Sequence, residues 1–297
     1  MTLADIANLV VAAVLLAGIY AVMSVGMTVI YGVMKIVNLA HAGFMMLGAY
    51  IALEFFERLH LDPILAALAT FPIMVIVGGF VHFTLVRWLP RSDQPTLPSL
   101  LLMFGLWLVL QNLGYLIWGN TDRSIFTPRT FDVIHLGPVV IPTIRLYVFI
   151  AGLGCVLLLE ALLNWTWFGR ALRALVQNPY AGRIVGIDDE KIAGLTFGLG
   201  IGFAGLAGAL LASLYSFNPD FGRPFLIRAF VIIVLGGLES VSGVAIGALV
   251  LALVETFTII WLPAGYQLAI SFGLLVLVLI VLPGGIASLL GRVRRLA

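Results

Sequence analysis

The stretch that decides the fold is residues 192–215, IAGLTFGLGIGFAGLAGALLASLY, which carries no charged side chain and is rich in glycine. Its length matches the roughly 20 apolar residues that an α-helix needs to cross a bilayer. Small residues recur four positions apart at Gly194, Gly198 and Gly202, a spacing that lets neighbouring helices approach closely. The formal GxGxxG that begins at Gly200 lies inside the apolar run, so it does not predict dinucleotide binding. The stretch therefore predicts a closely packed membrane helix.

Composition extends this prediction to the whole chain. Of its 297 residues, 62% are hydrophobic and 10% are charged, and the mean hydropathy is +1.15, far from the values of ordinary soluble domains. The sequence predicts an all-α polytopic membrane protein with about eight transmembrane helices in a single domain over residues 1–297. The predicted helices cover residues 8–30, 36–55, 63–86, 98–118, 146–164, 192–215, 243–262 and 265–282.

A further apolar segment lies between two of these helices. Residues 225–242 read FLIRAFVIIVLGGLESVS, and their apolar part is short for a full crossing. Irregular backbone at membrane depth survives only where protein or a watery cavity covers it. The segment is therefore predicted to be re-entrant and to face the interior of the bundle, with a short full crossing as the alternative.

The distribution of Lys and Arg predicts the orientation of the chain. The loop at residues 165–191 and the tail at residues 291–297 are basic, which favours a cytoplasmic position for both and an outer position for the N-terminus. The linker at residues 119–145 is then expected outside, where three Pro and alternating apolar residues predict short strands or a small cap. The net charge of +2 is too nearly balanced to predict nucleic-acid binding.

The inner loop contains the signals of a short helix outside the hydrocarbon. Asn178 suits the N-cap, Pro179 the first helical position and Gly186 the stop, which predicts about two turns. Asp188 and Asp189 then suit the cap of the following span. A solvated connector and a surface on which a partner docks both fit this pattern.

Polar side chains at membrane depth are costly, and they tend to face the protein interior or an aqueous path. On the predicted second helix, Asn38, His41 and Met45 share a face, and an amide with a neutral imidazole suits a polar solute. His41 equally fits a hydrogen bond between helices. Glu239 suits either a cation or ammonium site or an aqueous mouth. The other polar positions in apolar surroundings are Gln111, Asn112, Glu160, Ser240, Ser242 and Glu255.

Sequence signals for catalysis, nucleotide binding and metal binding are missing from the chain. It has no GxxxxGK[ST] and no HExxH, and its one cysteine, Cys155, lies in an apolar run without ligand spacing around it. We therefore expect a transport subunit rather than an enzyme, with no cofactor or metal bound by this chain. Any dependence on ATP must come from another subunit.

Four ordered blocks of the sequence resemble the LivH-type permease subunits of branched-chain amino-acid ABC importers. They are YGVMKIVNLAHAGFMMLGAY (31–50), LMFGLWLVLQNLGYLIWG (102–119), GRALRALVQNPYAGRIVGID (169–188) and LGGLESVSGVAIGALVLALVE (235–255). The resemblance runs through almost the whole chain. It implies the ABC importer permease fold and a multi-pass subunit in the bacterial cytoplasmic (inner) membrane, with the C-terminus in the cytoplasm.

The resemblance also implies partners and site residues. The expected partners are membrane lipid, a second related LivM-like permease, two ATPase subunits that bind ATP and Mg, and a periplasmic solute-binding protein; a pair of identical permeases stays open. Asn38 and His41 would border the translocation path, and residues 178–186 would be the coupling helix. The candidate path residues are Asn38, His41, Met45, Gln111, Asn112, Glu239, Ser240 and Ser242. The candidate ATPase-coupling residues are Arg170, Arg173, Asn178, Pro179, Tyr180, Arg183 and Gly186.

Two departures from the family pattern leave the solute open. Ala42 and Gly43 follow His41 where many relatives have Gly and an acidic residue, and Glu239 stands where a small residue is common. Branched-chain or other hydrophobic amino acids are the first expectation, and urea, short amides and aromatic acids are alternatives within the same importer class. An ion-coupled secondary carrier that uses Glu239, Glu255 or His41 is the alternative of another class.

Overall fold

The computed structural model describes residues 2–89, 96–238, 240–282 and 284–286, and it is almost entirely helical. The helices are α1 Leu3–Met34, α2 His41–Leu59, α3 Pro63–Thr84, α4 Thr96–Trp118, α5 Thr143–Trp165, α6 Trp167–Gln177, α7 Pro179–Ile184, α8 Asp189–Ala212, α9 Gly222–Gly236, α10 Val241–Thr258 and α11 Gln267–Val281. Short 3₁₀ turns occur at Val86–Trp88, Pro128–Phe131 and Ala264–Tyr266. Each predicted span overlaps one of these helices, which confirms the predicted fold class.

Six helices of the described residues are long and apolar enough to cross a membrane: α1, α3 with its 3₁₀ extension, α4, α5, α8 and α10. The other two predicted spans are α2, with 19 residues, and α11, with 15. The segment predicted to be re-entrant forms α9, whose 15 residues extend about 22 Å at about 1.5 Å per residue. That length is shorter than the ~30 Å hydrocarbon core and is compatible both with a re-entrant segment and with the short full crossing.

Helix α8 lies at the centre of the bundle, packed against α1, α2 and α3. In the most apolar 18-residue stretch of α8, 89% of the residues are buried, whereas the buried share of the corresponding stretch of α4 is 17%. A Cβ added to Gly208 would lie 1.8 Å from the carbonyl oxygen of Met45 on α2, and one added to Gly200 would lie 2.7 Å from the carbonyl oxygen of Gly26 on α1. The predicted close packing is thus confirmed, because any side chain at these positions would force the backbones apart.

The junction between α1 and α2 differs from its prediction. A helix was expected from residue 36, but α1 ends at Met34, Lys35 adopts a left-handed conformation (φ 55°), and α2 begins only at His41. Asn38 therefore lies on non-helical backbone, and the predicted shared helical face of Asn38 and His41 is wrong. The apolar pattern continues through the break, so periodicity gives no sign of it.

The break returns the chain along α1. The Nε2 atom of His41 donates to the carbonyl oxygen of Met23 at 2.8 Å, and Met23 lies about 17 Å from the end of α1 at about 1.5 Å per residue. Helix α2 thus begins deep inside the bundle, and not at the end of α1. Irregular backbone at this depth requires cover by protein, and residues 36–40 are accordingly buried or half-buried.

The predicted short strands of the linker are present. They are β1 Val133–Leu136 and β2 Val139–Pro142, an antiparallel hairpin in which Ile134 pairs with Ile141. The turn between the strands contains Gly137 in a left-handed conformation (φ 60°). Asn8 of α1 fastens the hairpin to the bundle by donating to the carbonyl oxygen of Pro138 and accepting from the N–H of Val140.

Candidate translocation and coupling sites

The first candidate site is the start of α2. Asn38 and His41 are both fully buried. Among the described residues, the side-chain oxygen and nitrogen of Asn38 and the Nδ1 atom of His41 have no hydrogen-bond partner. Leaving a buried amide without hydrogen bonds costs about 1–3 kcal/mol, so these atoms are a local loss of stability in the conformation seen here.

Apolar side chains and close backbone contacts surround this polar pair. Met45, one turn along α2 from His41, is fully buried, and its carbonyl oxygen faces Gly208 of α8. Gly222, the first residue of α9, lies so close to the carbonyl oxygen of Ala42 that an added Cβ would be 2.3 Å from it. The N-terminal turn of α2 is thus enclosed by α1, α8 and α9 together.

The other candidate path residues that the structure describes form their hydrogen bonds with groups other than Asn38 and His41. The side chain of Gln111 on α4 is buried and donates to the carboxylate of Asp220 at 2.6 Å. Asn112 is exposed and donates at 2.7 Å to the carbonyl oxygen of Leu108 in its own helix. The hydroxyl of Ser240 caps α10 by accepting from the N–H of Gly243 at 3.0 Å.

Two further predictions concern the same end of α10. Ser242 is exposed, and its hydroxyl lies 3.3 Å from that of Ser240. Glu239 lies outside the described residues, and its role stays a prediction.

Sequence reasoning missed a buried ion pair. The Nε atom of Arg228 on α9 donates to both carboxylate oxygens of Glu255 on α10, at 2.9 and 3.2 Å. The same carboxylate accepts from the hydroxyl of Tyr20 on α1 and, at 2.5 Å, from that of Ser271 on α11. This cluster ties four helices together. The one sequence signal for this pair is that Arg228 and Glu255 are charged residues in otherwise apolar runs.

The second candidate site is the inner loop. Its short helix, α7, has the predicted caps, since the side chain of Asn178 accepts from the N–H of Ala181 at 3.0 Å and Gly186 follows the helix with φ 84°. Pro179 occupies the first helical position, as predicted. Arg183 forms a double hydrogen bond with Asp189, the first residue of α8. Helix α7 is therefore joined directly to the central helix of the bundle.

The other coupling candidates have different positions. Tyr180 is 74% exposed, whereas Arg173 donates to the carbonyl oxygen of Leu163 at the end of α5. Arg170 is exposed on α6, a helix that the sequence signals did not distinguish from the loop. The N–H of Lys191 donates to the carboxylate of Asp188 and lowers the pKa of that N-cap residue.

No group of three or more His, Cys, Asp and Glu residues that could hold a metal ion occurs in the part of the chain that the structure describes. The two candidate sites instead offer a pair of buried polar side chains and a capped, partly apolar surface. Such groups can guide a solute or bind a partner protein.

The profile of a family described as "Branched-chain amino acid transport system / permease component" matches residues 9–279. The chain belongs to this permease family. It is 30% identical over 292 residues to the high-affinity branched-chain amino acid transport system permease protein LivH of Escherichia coli strain K12, covering 94% of this chain and 93% of that protein. It is 31% identical over 284 residues to the permease protein BraD of Pseudomonas aeruginosa, covering 92% of each chain.

A second kind of permease is also related to the chain. The permease protein LivM of Escherichia coli strain K12 is 26% identical over 310 residues, covering 90% of this chain and 67% of LivM. No solved structure matches the chain significantly. Membership of the permease family confirms the resemblance found in the four sequence blocks, and it makes this chain a multi-pass membrane permease component of a transport system.

Proposed function

We propose that this chain is one of two related permease subunits of an ATP-driven ABC importer for branched-chain or other hydrophobic amino acids. Two ATPase subunits would bind ATP and Mg, and a periplasmic binding protein would deliver the solute. The names of the LivH and BraD relatives support this solute class, and the relationship to LivM supports a second, related permease. The importer would lie in the bacterial inner membrane with α7 and the C-terminus on the cytoplasmic side.

The observation that carries the proposal is the buried polar pair at the start of α2. Asn38 and His41 are fully buried, although polar atoms of both side chains lack a hydrogen-bond partner within the described residues. A structural role would leave such groups paired, since a buried polar group without a partner is destabilising. A path that opens to water or solute during the transport cycle would supply the partners. Asn38 and His41 would then line that path.

The helix start itself would favour one end of an amino acid. The first N–H groups of an α-helix have no partner within the helix, and its dipole is positive there. Helix α2 begins deep in the bundle, beside Met23 of α1, with Ala40 at the N-cap, a residue whose side chain cannot accept a hydrogen bond. The carboxylate of a passing amino acid would suit this helix end, and Met45 would contribute to an adaptable apolar wall.

The contacts of α7 suggest how ATP binding would reach the path. Closure of the ATPases would push α7, whose Arg183 is paired with Asp189 at the start of α8. Near the C-terminal end of α8, Gly208 lies against the backbone of Met45 on α2. A displacement of α7 would therefore shift α8 against α2 and expose the path to alternate sides.

The ion-coupled carrier is less compatible with these contacts. Such a carrier needs a carboxylate that releases and accepts an ion or proton. Glu255 is engaged by Arg228, Tyr20 and Ser271 at once, which suits a structural tie between helices. The carrier and the alternative solutes are nevertheless distinguished by one experiment.

That experiment is uptake of radiolabelled leucine, urea and an aromatic acid into proteoliposomes that contain this chain. Each solute is tested with and without the co-purified second permease, ATPases, binding protein and ATP. Uptake of leucine only with the complete set and ATP is the expected result. Uptake by this chain alone, driven by an ion gradient, would refute the proposal in favour of a carrier, whereas ATP-driven uptake of urea alone would correct the solute.

A further inference from the structure

A cavity of about 270 Å³ lies between the end of α1, the end of α3 and the α7–α8 corner. Its volume is just below the roughly 300–1,000 Å³ of pockets that hold drug-sized ligands, so a small metabolite fits better than a nucleotide. Apolar side chains form one part of its wall, including Met34, Ile36 and Val86. The cavity therefore offers an apolar lining of the kind that accommodates an aliphatic side chain.

Charged groups of both signs form another part of the wall. Arg87 pairs with Glu190 at 3.0 Å, Arg183 pairs with Asp189, and all four residues line the cavity. All four side chains are partly exposed, so the two ion pairs are screened by solvent and contribute little stability on their own. Their arginines and carboxylates can therefore exchange partners with a bound ligand at low cost.

A buried histidine also lines the cavity. His82 of α3 is 2% exposed, and its Nδ1 atom has no hydrogen-bond partner among the residues described. The histidine ring packs closely against Gly194 of α8, where an added Cβ would lie 3.1 Å from Nδ1. Buried polar atoms are normally hydrogen-bonded, and the described residues leave this one, in the cavity wall, without a partner.

We propose that this cavity binds a free hydrophobic amino acid as a zwitterion and that its occupancy slows the importer. The ligand's ammonium group would pair with Glu190 and Asp189, its carboxylate with Arg87 and Arg183, and its side chain with the apolar wall. This inference rests on the proposed function, because the ligand is the class of solute that the importer would release on this side. The cavity would act as a product site, separate from Asn38 and His41.

The position of the cavity explains the effect on transport. Pro179 and Arg183 of α7 contribute to its wall, together with Asp189 at the start of α8. A ligand that bridges these residues to α3 would hold α7 in one position relative to the bundle. Because the proposed coupling requires α7 to move, a bound amino acid would favour one state and lower the rate of the cycle.

The test uses proteoliposomes of the complete importer with the ATPases facing outward and the loaded binding protein inside. Leucine is added to the ATPase side, and the rate of ATP hydrolysis is measured. We expect leucine to inhibit hydrolysis, whereas N-acetyl-leucine, which lacks the ammonium group, and leucinamide, which lacks the carboxylate, do not. Glu190→Gln and Ala193→Phe, the second of which fills the cavity, are expected to raise the half-inhibitory leucine concentration at least about tenfold.

Arg58→Gln provides the matched control. Arg58 pairs with Glu54 at 2.6 Å near the C-terminal end of α2. This end of α2 leads into the start of α3, whereas the cavity adjoins the other end of α3. Its removal should leave the half-inhibitory concentration within about twofold of the wild-type value. Inhibition that is absent, or that is equal in wild type and both cavity variants, would overturn the inference.

Two additional measurements complete the test. The first distinguishes a free amino acid from a lipid headgroup as the ligand. The second distinguishes a cavity that binds no ligand from an importer that does not function. Phosphoethanolamine carries the ammonium and anionic groups of a lipid headgroup, and inhibition by it in place of leucine would reject the free amino acid. Hydrolysis stimulated by the loaded binding protein, without leucine on the ATPase side, tests the proposed function alone. If that stimulation is missing, equilibrium binding of radiolabelled leucine to the complex, compared with Glu190→Gln, still decides whether the cavity binds an amino acid.

Discussion

At the scale of single residues, Asn38 combines a cost in stability with a proposed role in transport. Its side-chain amide is buried in non-helical backbone, and neither of its polar atoms has a partner in the described ranges. Asn8 provides a contrast, because its amide both donates to Pro138 and accepts from Val140. Two asparagines of the same chain thus differ in whether their hydrogen bonds are formed.

Replacement of Asn38 by Leu, which has a similar volume, should stabilise the folded protein and impair transport. We expect a gain of about 1–3 kcal/mol in the free energy of unfolding, because the change removes a buried amide that makes no hydrogen bond. Leucine uptake should fall at least about tenfold, since the path loses a polar side chain. Thermal unfolding in nanodiscs and uptake by the reconstituted importer measure the two effects.

The control for this prediction is Asn8→Leu. It removes formed hydrogen bonds, so it should lower stability by about 0.5–1.5 kcal/mol for each bond and leave uptake near the wild-type rate. If Asn38→Leu supports normal uptake, Asn38 does not border the path.

At the scale of elements, α8 determines how closely the helices of the core pack. A Cβ on Gly208 would lie 1.8 Å from the carbonyl oxygen of Met45, so Gly208→Ala forces α8 and α2 apart. We expect a loss of about 1–3 kcal/mol or more, as for other overpacked cores, measured as a lower melting temperature of the purified protein. Gly105→Ala on α4 is the matched change, because no described atom beyond its chain neighbours and the adjacent backbone of its own helix lies within 4 Å of its added Cβ. Equal melting temperatures of the two variants would contradict the close approach of α8 and α2.

Helix α7 provides a second prediction at this scale. Tyr180 is 74% exposed, so Tyr180→Asp should leave the fold intact while it places a charge in the proposed ATPase contact. We expect co-purification of the ATPases to fall at least about tenfold, together with uptake.

Leu136→Asp, on the outer hairpin, is a control of similar character, because Leu136 is 62% exposed. It should retain the ATPases. Undiminished binding of the ATPases by Tyr180→Asp would exclude the exposed face of α7 as the docking surface.

At the scale of the whole molecule, the proposed orientation can be tested by labelling. In a Cys155→Ala background, Leu136→Cys should react with a membrane-impermeant maleimide in intact spheroplasts. Val185→Cys should react only after permeabilisation, because it follows α7 on the proposed cytoplasmic side. Both positions are exposed, so access and not burial decides the result. Labelling of Val185→Cys in intact spheroplasts would reverse the orientation.

Local signals account for the parts of the fold that the sequence predicted. Apolar runs of sufficient length identified each span, and Asn178, Pro179 and Gly186 identified α7 because caps act within a single turn. The small residues of α8 identified close packing, because their four-residue spacing can be read within one helix. They did not reveal that α2 faces Gly208, since partners in space leave no local signal.

The sequence by itself therefore determined the class of fold, the approximate positions of the spans, the caps of α7 and the polar residues that lie in apolar runs. Only the tertiary structure decided that α2 begins at His41 deep in the bundle, that Glu255 is paired with Arg228, and that His82 lines a charged cavity. The physical reason is the distance along the chain over which each effect acts. Hydropathy and capping depend on neighbours along the chain, whereas the pairing of a buried polar group depends on which distant helix the fold places beside it.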